Sequence, residues 1–199
     1  MVSAFRTEGF RPAGRAVSPR RNNQAERGYD VYMFDHTIES INCRDDRLHF
    51  YKTGIADSPN HAENLDTLEN ILRDNECDSN TNMILKMDVE GAEYGFMEMV
   101  ENDTMKRFDQ IVFELHDLHT RSEDAVRFLE KIDKLFAIVH VHVNNYTNVV
   151  ICENKLYPDV VELTLLNRDN YLIGARCTRN KYLDIDAPNW KDIPDFVYT

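Results

Sequence analysis

The sequence predicts an α/β domain, a mostly parallel Rossmann-like sheet finished by antiparallel strands. Three observations carry that expectation. From Tyr29 to Leu135, short apolar runs alternate with stretches whose apolar residues recur at helical spacing. Three of those runs stop on or beside an acid, at Asp35, Asp88 and Glu114. Beyond Leu135 the apolar runs follow one another with no helical stretch between them.

Taken in order, residues 1–28 form a segment apart, rich in Arg, Pro and Gly. Val2 to Phe5 reads as a stub of strand. Ser18-Pro19 has the form of a helix start and Gly28 of a stop, so the segment holds either a short helix over 19–27 or no order. Tyr29 to Phe34 is a strand ending on Asp35, and Leu48 to Thr53 a second, stopped by Gly54. Leu65, Leu68, Ile71 and Leu72 predict a helix over 62–75. Met83 to Met87 is the next strand, followed by a helix over 91–101 that uses Ala92, Phe96, Met97 and Val100.

Gln110 to Leu115 is again a strand. Thr120 and Glu123 have capping-box spacing ahead of a helix presenting Ala125, Phe128, Leu129, Ile132 and Leu135. Ala137 to Val143, Asn148 to Glu153 and Val160 to Leu166 are three closing strands. Residues 29–170 thus form the domain, and 171–199 an extended tail packed on its surface.

Composition narrows the function. The 199 residues suffice for one core. The net charge of −12 at pH 7 argues against nucleic acid and anionic membrane as partners, since both need a positive field. The charge is uneven, with six Arg against two Glu in residues 1–28. No apolar run approaches the roughly 18 residues of a membrane span, and the N-terminus lacks the apolar stretch of a secretory leader. Cys43, Cys77, Cys152 and Cys177 are scattered without metal-ligand spacing. They read as free thiols in a reducing compartment, which implies the cytoplasm.

The chemistry is expected at the strand ends, because ligands of open parallel sheets bind beyond the carboxyl ends of the strands. Asp88 and Glu90 in DVEG occupy such an end, although Asp88 also suits the N-cap of the following helix. Asp35, beside His36, is placed either to accept hydrogen bonds from ribose hydroxyls or to close a solvated turn. Glu114 and His116 point to one face of their strand, either into one cleft as carboxylate and proton acceptor or as a helix-capping acid and a surface histidine. With Asp88 they would make an oxygen-rich site suited to Mg²⁺. His140 and His142 alternate on another strand. Asn144 and Asn145 then either bind a substrate or fix the loop.

The stretches AERGYDVYMFDHTIE (Ala25 to Glu39), ILKMDVEGAEY (Ile84 to Tyr94), QIVFELH (Gln110 to His116), HVNNY (His142 to Tyr146) and VVELT (Val160 to Thr164) resemble, in this order, the FkbM-type methyltransferases. These are a branch of the class I S-adenosylmethionine-dependent fold. The resemblance implies a cofactor site at Asp35, His36, Ala56, Asp57 and Asp88, and catalytic roles for His116, Glu114 and Glu90. It implies transfer of a methyl group to an acceptor hydroxyl that Glu114 and His116 face. The acidic charge suits a small molecule or sugar as that acceptor, with His142, Asn144 and Asn145 as its candidate contacts. Mg²⁺ on Asp88 and Glu114 is an additional candidate.

The chain departs from the family where a first strand and glycine-rich turn belong. It has RTEGFRPAGRAVSPRRNNQ there, with only Gly9 and Gly14. Without that strand, two neighbours lose their ladder partners, and unpaired buried amides are costly. Either Val2 to Phe5 supplies a substitute, or the sheet closes differently, or the chain is a truncated or rearranged version. A non-catalytic binding or assembly module that has lost the cofactor loop is therefore the alternative expectation. A nicotinamide-dependent oxidoreductase is disfavoured by the missing dinucleotide fingerprint.

Overall fold

The computed structural model describes residues 2–7, 29–42, 45–77, 82–152, 155–171 and 188–192. The expected helix over 19–27 and most of the tail lie outside the described residues. Val2–Thr7 (β1), Tyr29–Phe34 (β2) and Leu48–Tyr51 (β3) open the chain. Gly54–Ile55 (β4), Leu65–Asp66 (β5), Leu68–Asp74 (α1), Met83–Met87 (β6), Glu93–Met99 (α2) and Asn102–Met105 (α3) follow. Phe108–Leu115 (β7), Ser122–Leu135 (α4), Phe136–Val143 (β8), Val149–Cys152 (β9), Lys155–Pro158 (β10) and Val161–Asn167 (β11) complete the order.

Seven strands form one mixed sheet in the order β3-β2-β1-β6-β7-β11-β8. β2 pairs parallel with β3, and β6 parallel with β7. β11 lies antiparallel between β7 and β8. β1 occupies the central place between β2 and β6 and runs antiparallel to both. Val2 to Phe5 therefore does substitute for the missing strand, but in the reverse direction. Its ladder satisfies backbone groups of β2 and β6 that would otherwise be orphaned in the middle of the sheet. Val2 pairs with Phe34 and with Met87, at the edge where Asp35 and Asp88 follow, and Thr7 ends opposite Tyr29, on the other edge. The rim between the two acids is thus met by the start of a strand, not by a strand-to-helix turn.

Of the eight residues of β7, seven are buried, as expected of a strand covered on both faces. α4 packs on one of those faces. Phe128 meets Phe113 edge to face at 5.0 Å and Tyr94 of α2 at 6.1 Å. Ile132, Phe108, Phe113 and Leu85 are fully buried around that contact, and each such side chain contributes about 1.5–3 kcal/mol. Lys131 of α4 donates to the carbonyls of Met97 and Val100, 2.6 Å each, and so ties down the end of α2.

Several boundaries differ from the sequence expectations. The helix expected over 62–75 begins only at Leu68. Asn64 adopts a left-handed φ of 55°, and Leu65–Asp66 pairs parallel with Gly54–Ile55 instead. Thr67 then caps α1, its hydroxyl accepting from the Asn70 amide. The Thr120/Glu123 capping box does not form, because the Thr120 hydroxyl donates back to the Asp117 carbonyl and Arg121 takes the N-cap position. Leu129 is 38% exposed, whereas Ala125, Phe128, Ile132 and Leu135 are buried as expected. The hairpin arm Lys155–Pro158 has no periodic signal, since the ribbon packs little of its apolar surface and leaves Ile151 and Leu156 mostly exposed. Cys77 is buried and its thiol donates to the Asn75 carbonyl at 3.2 Å. Among the described residues, no helix is long and apolar enough to cross a membrane.

Candidate functional site

β2, β3, β6 and β7 run in one direction, so Asp35, Asp88 and His116 leave the sheet on one rim. The turn after β6 has two left-handed residues in succession, Glu90 at φ 53° and Gly91 at φ 100°. Gly91 tolerates that backbone because it has no Cβ. The turn delivers α2 with Ala92 at its N-cap and no side-chain cap bond, so Asp88 is not the helix cap. Glu93 reaches back instead, and its Oε1 accepts from the Val89 amide at 3.2 Å.

The same Oε1 lies 2.9 Å from Nδ1 of His116. Glu93 is wholly buried, and among the described residues its Oε2 has no hydrogen-bond partner. The other imidazole nitrogen, Nε2, lies 3.5 Å from Glu90 and 3.9 Å from Asp88. The Tyr94 hydroxyl donates to the His116 carbonyl at 2.7 Å, which fixes the backbone as well as the ring. Burial presses the His116 pKa down, but the Glu93 hydrogen bond and the charges of Glu93, Glu90 and Glu114 outweigh it and raise it to about 9. His116 is therefore an imidazolium at neutral pH. Burial pushes the Tyr94 phenol up to about 12, so it remains a donor.

Asp88, Glu90 and His116 each bring a ligand atom within 4.8 Å of the others. Lys86 lies 3.4 Å from Asp88 and adds positive charge to that cluster. Glu114, expected with Asp88 as a metal ligand, is outside this grouping. Its Oε1 accepts from the Asn144 amide at 2.8 Å.

Across the sheet, Glu114, Glu162 and His142 stand opposite one another on β7, β11 and β8. Like charges directly opposite repel. Burial raises the Glu114 carboxyl, and Asp88 and Glu162 add to that against the Asn144 hydrogen bond. Burial also works to raise Glu162, but hydrogen bonds from His142 and Asn189 more than offset it and hold Glu162 low. Asn145, 3% exposed, clamps the tail: its Nδ2 donates to the Trp190 carbonyl and its Oδ1 accepts from the Trp190 amide. Tyr146 stacks on the Trp190 ring at 5.0 Å. Asn145 thus holds the backbone at Trp190, and Asn144 orients Glu114.

A cavity of about 580 Å³ opens on the same rim. Asp35, His36, Ala56 and Asp57 line it, four of the five residues expected to hold a cofactor. Val89 to Ala92, Gly95, Phe96 and Arg121 form the facing wall. Asp88 is absent from this lining and belongs to the His116 cluster, while Glu90 serves both. Asp35 Oδ1 accepts from the Thr37 amide and hydroxyl. Burial raises its pKa, but those two bonds, aided by His36, leave it below the ordinary value. A Cβ on Gly54 would lie 2.3 Å from the His36 ring, and one on Gly95 would reach 3.8 Å from Asp57. Glycine at these two positions thus lets the walls approach without filling the cavity.

Sequence reasoning missed Glu93 and Arg121. Glu93 had a signal, because it lies three and four positions before the apolar Phe96 and Met97. An acid on the apolar face of a helix needs a buried partner. Arg121 had none, since its place depends on the loop after β7 crossing over Gly91.

Among known proteins, the family model described as Methyltransferase FkbM domain matches residues 26–147. No curated protein and no solved structure matches the chain.

Proposed function

Because the chain belongs to the FkbM methyltransferase domain family, we propose that it is an S-adenosylmethionine-dependent O-methyltransferase with a Rossmann-like, class I fold whose first strand is reversed. The acceptor is a hydroxyl of a small molecule or sugar. The observation that carries this reading is the cavity at the carboxyl ends of β2 and β6, lined by Asp35, Gly54 to Asp57 and Glu90 to Ala92. Its volume lies within the usual range of about 300–1,000 Å³ for small-molecule sites.

The residues present suit the donor. Asp35 has both of its bonds to Thr37 on Oδ1, which leaves Oδ2 to accept ribose hydroxyls. Phe34, Ile55 and Ala56 offer an apolar surface for a base beside Asp57. When bound, the donor supplies a methyl group made electrophilic by its sulfonium. Asp35, Asp57 and Glu90 give the cavity an acidic lining that favours a cationic ligand. His116, held by Glu93 and Tyr94, presents Nε2 to the rim, where its neutral form takes the proton of the acceptor hydroxyl. Glu114, Asn144 and His142 lie on the acceptor side. The exposed Trp190 and Tyr146 rings extend that side with an apolar face.

Since the His116 pKa is about 9, the base form is a small fraction at neutral pH, and methyl transfer is expected to rise toward alkaline pH. Lys86, 3.4 Å from Asp88, already offsets one acid of this cluster, so the reading keeps it as a proton site and assigns it no Mg²⁺. Calorimetry with S-adenosylhomocysteine tests the proposal, followed by transfer of a labelled methyl group to a panel of hydroxyl acceptors. Binding in the micromolar range is expected. No heat at millimolar ligand, from protein shown folded by circular dichroism, would count against it.

A further inference from the structure

We infer that Arg121 is the specificity residue that reads the carboxylate of an α-amino-acid headgroup in the cavity; this rests on the donor reading above. The lining of the cavity is mostly acidic where it is charged, with Asp35, Asp57 and Glu90. Among its described residues Arg121 is the only Lys or Arg. A pocket built only to attract a cation would gain nothing from a guanidinium. A pocket for a ligand carrying both signs requires one.

The guanidinium is held in place by its surroundings. Its Nη1 donates to the Gly91 carbonyl at 2.6 Å, and its Nε to Asp124 at 2.7 Å. Its carbon lies 4.4 Å above the centre of the Tyr94 ring, a stacked cation–π geometry. Arg121 takes one oxygen of Asp124 through Nε, while Arg127 takes the other and also pairs with Glu98. Arg121 keeps further N–H groups in its fork for a ligand, and such a fork matches a carboxylate in two bonds.

The rest of the cavity locates the headgroup. Asp35 suits the ribose, and Gly54 to Asp57 line the base end. What remains is the wall of Val89 to Ala92, Gly95 and Arg121. Glu90 and Arg121 are the acidic and the basic residue of that wall, a pair of signs complementary to the ammonium and carboxylate of an amino acid. Gly91, which follows Glu90 and whose carbonyl accepts from Arg121, carries no side chain, and Asp117 stands beside it. A Cβ there would lie 3.9 Å from Arg121 Nη1.

The test compares two ligands by calorimetry. S-Adenosylhomocysteine has the headgroup, and 5′-methylthioadenosine has the same nucleoside and thioether without it. The native protein should bind the first at least about tenfold more tightly. R121Q should remove most of that ratio while changing methylthioadenosine affinity less than about twofold, and R121K, which keeps the charge without the fork, should fall between. D35N should weaken both ligands alike and leave the ratio standing. An unchanged ratio in folded R121Q would overturn the role of Arg121 while leaving the donor reading intact. Failure of both ligands to bind the folded native protein would overturn the donor reading, and this inference with it.

Discussion

Replacing Glu93 by glutamine removes the charge beside His116 and keeps an oxygen able to accept from Nδ1–H. In the native protein that nitrogen lies 2.9 Å from the Oε1 of a wholly buried carboxylate. With charge centres about 4 Å apart and an effective dielectric of about 20, the attraction is about 4 kcal/mol. Burial of the imidazolium opposes it, and Glu90 and Glu114 add to it. The outcome is a pKa of about 9 against an ordinary 6.5, a net stabilisation of about 3 kcal/mol. Because the folded value is the higher one, this contribution is complete below pH 6.5 and lost as pH rises through about 9. The thermal midpoint of the native protein should accordingly fall across that window.

In E93Q the remaining carboxylates still favour the cation, so the pKa should drop by at least about one pH unit, about 1.4 kcal/mol, without returning fully to its ordinary value. An NMR titration of the His116 ring in both proteins measures the drop directly. If His116 is the base, the pH–rate profile of methyl transfer moves to lower pH by the same interval. Activity at neutral pH then rises by about twofold to tenfold, the larger neutral fraction being offset in part by a weaker base. A His116 titration that is identical in folded E93Q would refute the pairing as the cause of the raised pKa.

Other perturbations probe separate parts of the rim. G91A places a Cβ on a φ of 100° and 3.4 Å from Asp117 Oδ2; it should cost about 1–3 kcal/mol in chemical denaturation, and a change within error would mean that the turn relaxes freely. N145A removes both hydrogen bonds to Trp190, each worth about 0.5–1.5 kcal/mol. Trp190 is the single tryptophan, so its emission should shift to the red as the Tyr146 stack loosens, and unaltered emission would contradict the clamp. Chelation by EDTA, or added Mg²⁺, should change methyl transfer by less than about twofold, whereas a loss restored by Mg²⁺ would reassign Asp88, Glu90 and His116 as ligands.

Much of the site was legible because it is local in the chain. An apolar run that meets an acid, as at Phe34-Asp35 and Met87-Asp88, marks the end of a buried strand wherever that strand lies in the sheet. The apolar period of α4 likewise follows from one packed face, and only Leu129 departs from it. Harder to read were places where a local signal met a tertiary competitor. Leu65 has helical spacing with Leu68 and Leu72, yet it pairs with Gly54 because the backbone reverses at Asn64. Thr120 has the spacing of a cap, yet the left-handed Asp117 draws its hydroxyl backward.

By itself, then, the sequence determined the alternation of strands and helices, the acids at the strand ends and the resemblance to one family of methyltransferases, since all of these depend on residues close together in the chain. Tertiary structure alone decided that Val2–Thr7 fills the centre of the sheet against the direction of its neighbours, because direction is set by which amides and carbonyls meet across a ladder. It also decided that His116 is charged by Glu93, 23 residues away, that Arg121 leans over Gly91, and that Asn145 holds Trp190, 45 residues away. A pKa, a guanidinium's reach and a clamped loop are set by distances in space, which no spacing along the chain encodes.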